Sequence, residues 1–345
     1  MPGSRQEELM GLNRDQEISP TAIMHNVYAV YQSLAMVAGM ELDVFTPLKD
    51  GPLNTETLAK SLGVQVAKLS PLLYALVTAG LLTVENGTFA NTVESQAFLV
   101  RGRPQYLGGL HGFYKKLWQA TFQTAASIRT GQPQAKLDWL ALPAEQLANY
   151  FQGQYPSSLR AGRELAGIID FSKFQRLLDA GGGTGGVCIG ICEAYRDLAG
   201  TVADLPEVAT LSSRFIAEAR MADRIKVTAV DLTGRPPAGR YDAAVLRAFL
   251  QVLPAELAQR ALQNIYQALE TGGEIFIVGS ILEDTRLAPA ASIGFSLVFL
   301  NLYDAGQSYT EQEHREWLAA AGFTDISIQH NVTIDGLGLV RARKL

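Results

Sequence analysis

One segment near the middle of the chain, Leu177-Leu178-Asp179-Ala180-Gly181-Gly182-Gly183-Thr184-Gly185-Gly186, constrains the fold more than any other. An apolar run ends in an acid and gives way to a loop with almost no side chains. Glycines permit positive φ and close backbone approach, and a helix opening near Gly186 presents unpaired N–H groups to whatever lies beside it. Gly181, Gly183 and Gly186 satisfy G-x-G-x-x-G, which fits a dinucleotide site but also arises where a strand-to-helix turn needs glycine for packing alone. The residues beyond the loop decide between these two.

From Arg176 onward the pattern alternates between strand and helix. It predicts strands over 176–180, 200–204, 225–230, 241–246 and 273–279, helices between them, including 254–270 and 310–321, and final strands over 324–330 and 336–343. Five strands separated by crossovers imply a parallel doubly wound sheet. The last two, separated only by 331–335, imply a closing antiparallel hairpin. The predicted class is α/β, a Rossmann-like doubly wound seven-stranded sheet with its last strand antiparallel.

The N-terminal third reads differently. Ile23, Val27, Val30, Tyr31, Leu34, Val37 and Ala38 fall on one stripe of a helix from Thr21 to about Phe45. Shorter helices follow from Thr55 to Leu62 and from Lys68 to Leu82, the second closing at Thr78-Ala79-Gly80, and a tight hairpin turns at Asn86-Gly87. Helix, helix, hairpin is the order of a winged helix. DNA binding does not follow, because residues 51–100 carry Lys60 and Lys68 against Glu56, Glu85 and Glu94, and little on the second helix could read base edges. A dimerisation module fits better, since the long apolar helix before it has no other evident place to bury its face. Residues 104 to about 170 read as helical and aromatic, with Tyr106, Phe113, Tyr114, Trp118, Phe122, Trp139, Tyr150, Phe151 and Tyr155 as core residues or as the lining of a cavity for a flat ligand.

At 345 residues and 48% hydrophobic, the chain has enough material for a large core and two domains. A net charge of −5 with acids and bases interspersed excludes a general nucleic-acid surface. Cys188 and Cys192 lie four apart on the helix after the glycine loop, so they are read as apolar packing residues with no metal site. Two free thiols and a polar N-terminus without a signal-like apolar run predict a cytoplasmic protein. The apolar segment Ala288 to Leu302 contains Pro289, Ser292, Gly294, Ser296 and Asn301 and is too short to span a bilayer, so it predicts a buried or pocket-lining helix and no membrane partner.

In a doubly wound sheet, ligands sit outside the carboxyl ends of the strands. Three acids fall there. Asp179 ends the first strand, where a carboxylate can orient the glycine loop or meet a cation such as an amino group. Asp204, in Val202-Ala203-Asp204-Leu205-Pro206, ends the second, where carboxylates accept from ribose hydroxyls. Asp231, in Val230-Asp231-Leu232, ends the third, where it could accept from the exocyclic amine of adenine; each acid alone equally fits a strand-end turn or a helix cap, and only the three together point to a ligand.

The segment 177–186, Asp-Leu-Pro at 204–206, Val-Asp-Leu at 230–232 and Leu-Arg after Tyr241-Asp242 together resemble the class I S-adenosylmethionine-dependent methyltransferases. More narrowly, the chain resembles the small-molecule O-methyltransferases related to the caffeate, hydroxyindole and carotenoid enzymes. The resemblance covers nearly the whole chain, because that family places a winged-helix dimerisation domain before its catalytic sheet. It implies a homodimer through residues 1–103, a methyltransferase domain over 104–345, S-adenosylmethionine as cofactor and a small, hydrophobic, aromatic acceptor. It further implies Asp179, Gly181, Gly182 and Gly183 around the methionine portion, Asp204 and Leu205 at the ribose, Asp231 and Leu232 at the adenine, and Arg247 beside the cofactor. Tyr155 falls where the family often carries a methionine near the transferred methyl. Phe113, Trp118, Phe295, Phe299 and Tyr303 would line the acceptor cavity.

One departure bears on the chemistry. O-methylating members carry a His followed by Asp-Trp after the fourth strand, and that His deprotonates the acceptor hydroxyl. Here the segment reads Leu246-Arg247-Ala248-Phe249-Leu250-Gln251-Val252-Leu253-Pro254, with Gln251 in the base position. An amide accepts no proton at neutral pH, although it orients a partner by hydrogen bonding. A phenol with pKa near 10 then lacks the general base that typically supplies about 10² to 10⁴ in rate. The acceptor is therefore an already nucleophilic carbon, nitrogen or acidic hydroxyl, or another group serves as base, or the protein binds cofactor as a non-methylating, structural or sensing dimer. Among alternative bases His111 lies in the aromatic segment near substrate entry, His314 is expected at the surface, and Glu283, Asp284 and Glu311 are candidates for facing the pocket. A nicotinamide oxidoreductase using the same glycine pattern is the remaining enzymatic reading.

Overall fold

The computed structural model describes residues 18–103, 105–136 and 143–345. The chain divides into two units, one up to Lys115 and one from Lys116 onward. Pro104, at the junction expected from sequence, lies outside the described residues, as do the segment to residue 17 and Trp139.

In the first unit, helix α1 (Thr21–Glu41) precedes strand β1 (Leu53–Asn54), helices α2 (Thr55–Leu62) and α3 (Val66–Thr78), strands β2 (Leu82–Glu85) and β3 (Thr88–Asn91), and helix α4 (Val93–Phe98). Local chemistry accounts for these boundaries. Asn54 Oδ1 accepts from Thr57 N at 2.8 Å to cap α2, and Gly63 ends it with φ 68°. Asn86 and Gly87, at φ 48° and 76°, make the two-residue turn whose twist matches the hairpin. The strands form an antiparallel sheet in the order β1-β3-β2. Val44, Phe45, Leu58, Leu73, Leu76 and Phe89 fill the core beneath it. Helix α1 joins that core only through its C-terminal turns, and Ile23, Val27, Tyr28, Val30, Tyr31 and Leu34 stay exposed.

Helix α5 (His111–Thr121) runs across the boundary, and the second unit continues with α6 (Thr124–Thr130) and α7 (Ala144–Ile168). The alternating part follows as β4 (Arg176–Ala180), α8 (Gly186–Ala194), β5 (Ala199–Asp204), α9 (Pro206–Glu218), β6 (Ile225–Ala229), β7 (Tyr241–Arg247), α10 (Ala255–Ala268) and β8 (Leu269–Gly279). It closes with β9 (Ile281–Leu282), α11 (Ala290–Leu302), β10 (Tyr309–Thr310), α12 (Glu311–Ala321), β11 (Phe323–Gln329) and β12 (Gly338–Lys344). The main sheet has seven strands in the order β11-β12-β8-β7-β4-β5-β6. Strand β12 is antiparallel to both neighbours while the pairs from β8 to β6 are parallel, as the sequence pattern predicts. The order reverses between β4 and β7, so the carboxyl ends of these two strands flank the crevice where such sheets bind ligands.

Apolar clusters cover both faces of this sheet. Cys188 and Cys192 are fully buried in one of them as packing residues. Helices α7 and α8 cross with almost no side chain between them, since a Cβ at Gly190 would lie 2.6 Å from Arg163 N and one at Gly186 would lie 2.7 Å from Leu159 N. This closeness fixes the start of α8 directly after the glycine loop. No single helix among the described residues is long and apolar enough to cross a membrane.

Candidate active site

Asp179, the penultimate residue of β4, is 1% exposed. Its Oδ2 accepts from Cys188 N at 3.1 Å, and its Oδ1 is buried with no hydrogen-bond partner. Burial pushes the carboxyl up to about 7; the Cys188 N–H opposes this, Asp204 adds to it, and Arg247 pulls it down. The glycines beside it are required by contact as well as by conformation. A Cβ at Gly182 would stand 2.7 Å from the Asp179 carboxyl carbon, and one at Gly181, where φ is 67°, would enter the Phe249 ring.

Asp204 ends β5 and holds the loop from the other side. Its Oδ2 accepts from Gly183 N at 2.8 Å and its Oδ1 from Leu205 N at 2.7 Å. Burial pushes this carboxyl up to about 6 against those two N–H groups. Ser212 donates to Gly183 O at 2.5 Å, and the hydroxyls of Ser158 and Thr184 lie 2.8 Å apart. Backbone and side chains from β4, β5, α7, α8 and α9 thus fix a cradle of bare peptide next to two carboxylates.

Asp231 follows β6 at the surface, its Oδ1 accepting from Thr233 N and Oγ1 at 2.9 and 2.7 Å. Leu232 is 3% exposed and belongs to the core. Arg247 ends β7, pairs with Asp335 at 3.1 Å, and keeps a buried Nε without a partner. Tyr155 stacks on Phe215 at 4.7 Å between ring centroids, so it packs α7 against α9. The ring at the loop is Phe151, one turn earlier, 3.2 Å from where a Gly183 Cβ would stand. Sequence does not single out Phe151 or Phe249 for the cradle. The helical spacing of Phe151 from Tyr155 is a usable signal, whereas nothing local ties Phe249 to Gly181.

Gln251 follows β7 in a short 3₁₀ turn and is 7% exposed. Its Oε1 accepts from Ser280 N at 2.9 Å, which ties the turn to the end of β8. Of the alternative bases, His314 corrects the surface expectation, being 4% exposed. It lies on the face of α12 that also buries Trp317 and Leu318, and its Nδ1 is 2.8 Å from Thr310 O. The carboxylates considered for the pocket are engaged elsewhere or exposed. Asp284 accepts from Gln312 N at 2.8 Å, Glu311 pairs with His330 at 2.7 Å, and Glu283 is exposed. His111 and Phe113 lie on α5 in the first unit, and Trp118 lies on the same helix beyond the boundary.

Along α11, Phe295 and Phe299 meet edge to face at 5.1 Å, and Tyr303 continues the row 6.1 Å from Phe299. Burial, with Tyr150 nearby, raises the Tyr303 phenol well above its usual value, and burial pushes Tyr150 up to about 12. Both are neutral hydroxyls at pH 7.

The cradle fits S-adenosylmethionine on three counts. The buried Asp179 Oδ1 lacks a donor that an ammonium supplies, the loop carries no side chain over 181–183, and acids stand at or next to three successive strand ends. Comparison with known proteins agrees. Residues 139–324 match the model of the O-methyltransferase domain, and residues 24–101 match that of the O-methyltransferase dimerisation domain. The chain is 27% identical to a 3-hydroxy-5-methyl-1-naphthoate 3-O-methyltransferase of Streptomyces sahachiroi, over 89% of this chain and 90% of the relative. It is 26% identical to an L-tyrosine C(3)-methyltransferase of Streptomyces lavendulae, over 85% and 83%. Its fold matches human N-acetylserotonin methyltransferase in complex with S-adenosylmethionine, with a TM-score of 0.75 at 22% identity, over 96% of this chain and 99% of that one. The chain therefore belongs to the S-adenosylmethionine-dependent O-methyltransferase family, with that family's dimerisation domain ahead of its catalytic domain.

Proposed function

We propose that this protein is a homodimer that moves the methyl group of S-adenosylmethionine to a small, hydrophobic, aromatic acceptor, with Gln251 orienting that acceptor and taking no proton from it. The observation that carries the reading is the buried Asp179 carboxylate with one unpartnered oxygen against a loop of bare peptide. In this reading Asp179 and Gly181 to Gly183 hold the methionine portion, Asp204 and Leu205 the ribose, Asp231 and Leu232 the adenine, and Arg247 lies beside the cofactor. Tyr155, one helical turn from Phe151, holds α7 to α9 through Phe215. Phe295, Phe299 and Tyr303 supply the flat wall of the acceptor cavity. The sulfonium supplies an activated methyl group, so positioning a nucleophile in line with it accounts for most of what the protein must do.

The ring row on α11 supports an acceptor of aromatic character, and relatives named for a naphthoate oxygen and for a tyrosine ring carbon are consistent with it. Two free, buried thiols suit a reducing, cytoplasmic setting. Titration calorimetry with S-adenosylmethionine is expected to show micromolar binding, and an absence of heat at that range would sink the proposal. The Gln251 amide supports a second reading, a cofactor-binding dimer without turnover, because its oxygen is already committed to Ser280 N. A screen of phenolic and aminated aromatic acceptors separates the two, since turnover of any acceptor rules out the second reading, and Gln251→His then sorts the chemistry. A gain in turnover of a phenol supports oxygen chemistry, and loss of turnover supports carbon or nitrogen.

A further inference from the structure

With an amide at position 251, an acceptor proton has no destination in that side chain. Behind it lies a cavity of about 10 Å³ whose wall includes Gln251, Phe249, Gly279, Ser280, Tyr309 and His314. That is about the room one water molecule needs. Two groups on the wall are complementary. Ser280 N donates to Gln251 Oε1, so the polar group the amide has left is the Nε2 donor. Thr310 O lies 2.8 Å from His314 Nδ1, and a carbonyl only accepts, so the ring proton sits on Nδ1 and Nε2 is an acceptor. Neither Nε2 has a hydrogen-bond partner among the described residues.

The surroundings suit a base that is neutral at rest. Burial holds the pKa of His314 below the usual histidine value, against the Thr310 carbonyl and the charges of Glu313 and Glu311. Those two carboxylates are themselves held, Glu313 by Thr310 N and Arg286, Glu311 by His330 and Arg315. Trp317 closes the other side, 6.1 Å from the imidazole.

We propose that His314 is the proton acceptor for methyl transfer, joined to the acceptor hydroxyl by one water held between Gln251 Nε2 and His314 Nε2. This rests on the reading that the acceptor lies at Gln251. The acceptor O–H bond breaks, its electron pair stays on oxygen to bond the donated methyl carbon, and the carbon–sulfur pair leaves with sulfur. The released proton passes to the water, a proton of the water passes to His314 Nε2, and the imidazolium beside Glu313 and Glu311 later returns its proton to solvent. His314 acts through the water and is a positioning residue; it does not touch the acceptor.

Nitrogen NMR tests the relay without turnover. The chain has four histidines, and long-range ¹H–¹⁵N spectra of labelled protein read the tautomer of each. The His314 signal is assigned by its loss in His314→Phe, or in His314→Gln if the first variant does not fold. The expected result at pH 7 is a neutral Nδ1–H ring whose Nε2 shift moves in Gln251→Leu, where the bridging donor is gone. A second readout is kinetic. His314→Gln is expected to lower kcat/KM about 10- to 100-fold for an un-ionised naphthol and less than about twofold for a nitrophenol ionised at the assay pH. An Nε2–H or charged ring, an Nε2 shift unmoved in Gln251→Leu, or equal losses on both phenols would overturn the proposal. Binding of S-adenosylmethionine with methylation of neither phenol would defeat the acceptor reading instead, and the nitrogen spectra would still decide the relay.

Discussion

Asp179 carries opposite demands from stability and from binding. In the ligand-free fold its carboxyl is pushed up to about 7 from 3.8, so the folded state holds a proton that the unfolded chain releases. That contribution to stability is complete below about pH 4 and is lost as pH rises through 7. Asp204, pushed up to about 6, acts in the same direction. Asp179→Asn keeps an oxygen for Cys188 N and removes the ionisation. We expect it to raise the melting temperature of the ligand-free protein at pH 8 and to flatten the fall in stability between pH 4 and 8, measured by thermal unfolding across pH. The same change removes the anion that an ammonium would meet. Affinity for S-adenosylmethionine should drop about 10- to 100-fold, the equivalent of one hydrogen bond to a charged group, read by calorimetry.

Among the elements, the crossing of α7 and α8 sets the cradle. Gly186 opens α8 with Ser158 and Leu159 of α7 against the place where a Cβ would be, and the backbone N of Leu159 cannot move aside without displacing the helix. Gly186→Ala is expected to cost about 1–3 kcal/mol by overpacking, measured by urea unfolding. It should also weaken cofactor binding, because the start of α8 and the Ser158–Thr184 contact move with it. The glycine run thus serves close packing and leaves the peptide at 181–183 without side chains. Sequence pattern locates the run and its flanking elements, since both follow from local periodicity and turn chemistry. It misplaces His314, because the charged neighbours Glu313 and Arg315 suggest a wet helix, while Trp317 and Leu318 show which face turns inward.

For the molecule as a whole, the first unit leaves a stripe on α1 without cover, with Ile23 67%, Val27 49%, Tyr31 59% and Leu34 46% exposed. Contiguous apolar surface of this kind marks an interface, and the matching family domain is a dimerisation domain. A two-fold partner on this stripe would bury the same residues from both copies. Val27→Glu with Tyr31→Glu should convert a dimer to a monomer in light scattering while leaving the far-ultraviolet spectrum of the folded units unchanged. A dimer that persists in that variant would assign the contact to another surface.

The order of strands and helices, the glycine loop and the acids at three strand ends were legible in the chain, because each depends on residues within a turn or a strand of one another. So was an amide, Gln251, in the segment after β7. Which groups meet was not legible. Gln251 reaches Ser280, Phe249 covers Gly181, Phe151 approaches Gly183, and Arg247 meets Asp335, all pairs separated by about thirty residues or more. Such contacts are chosen when strands β4, β7 and β8 come side by side and helices close over them, so no local spacing encodes them. Packing of the whole sheet tethers the Gln251 amide to Ser280 and brings a buried histidine to the same small cavity.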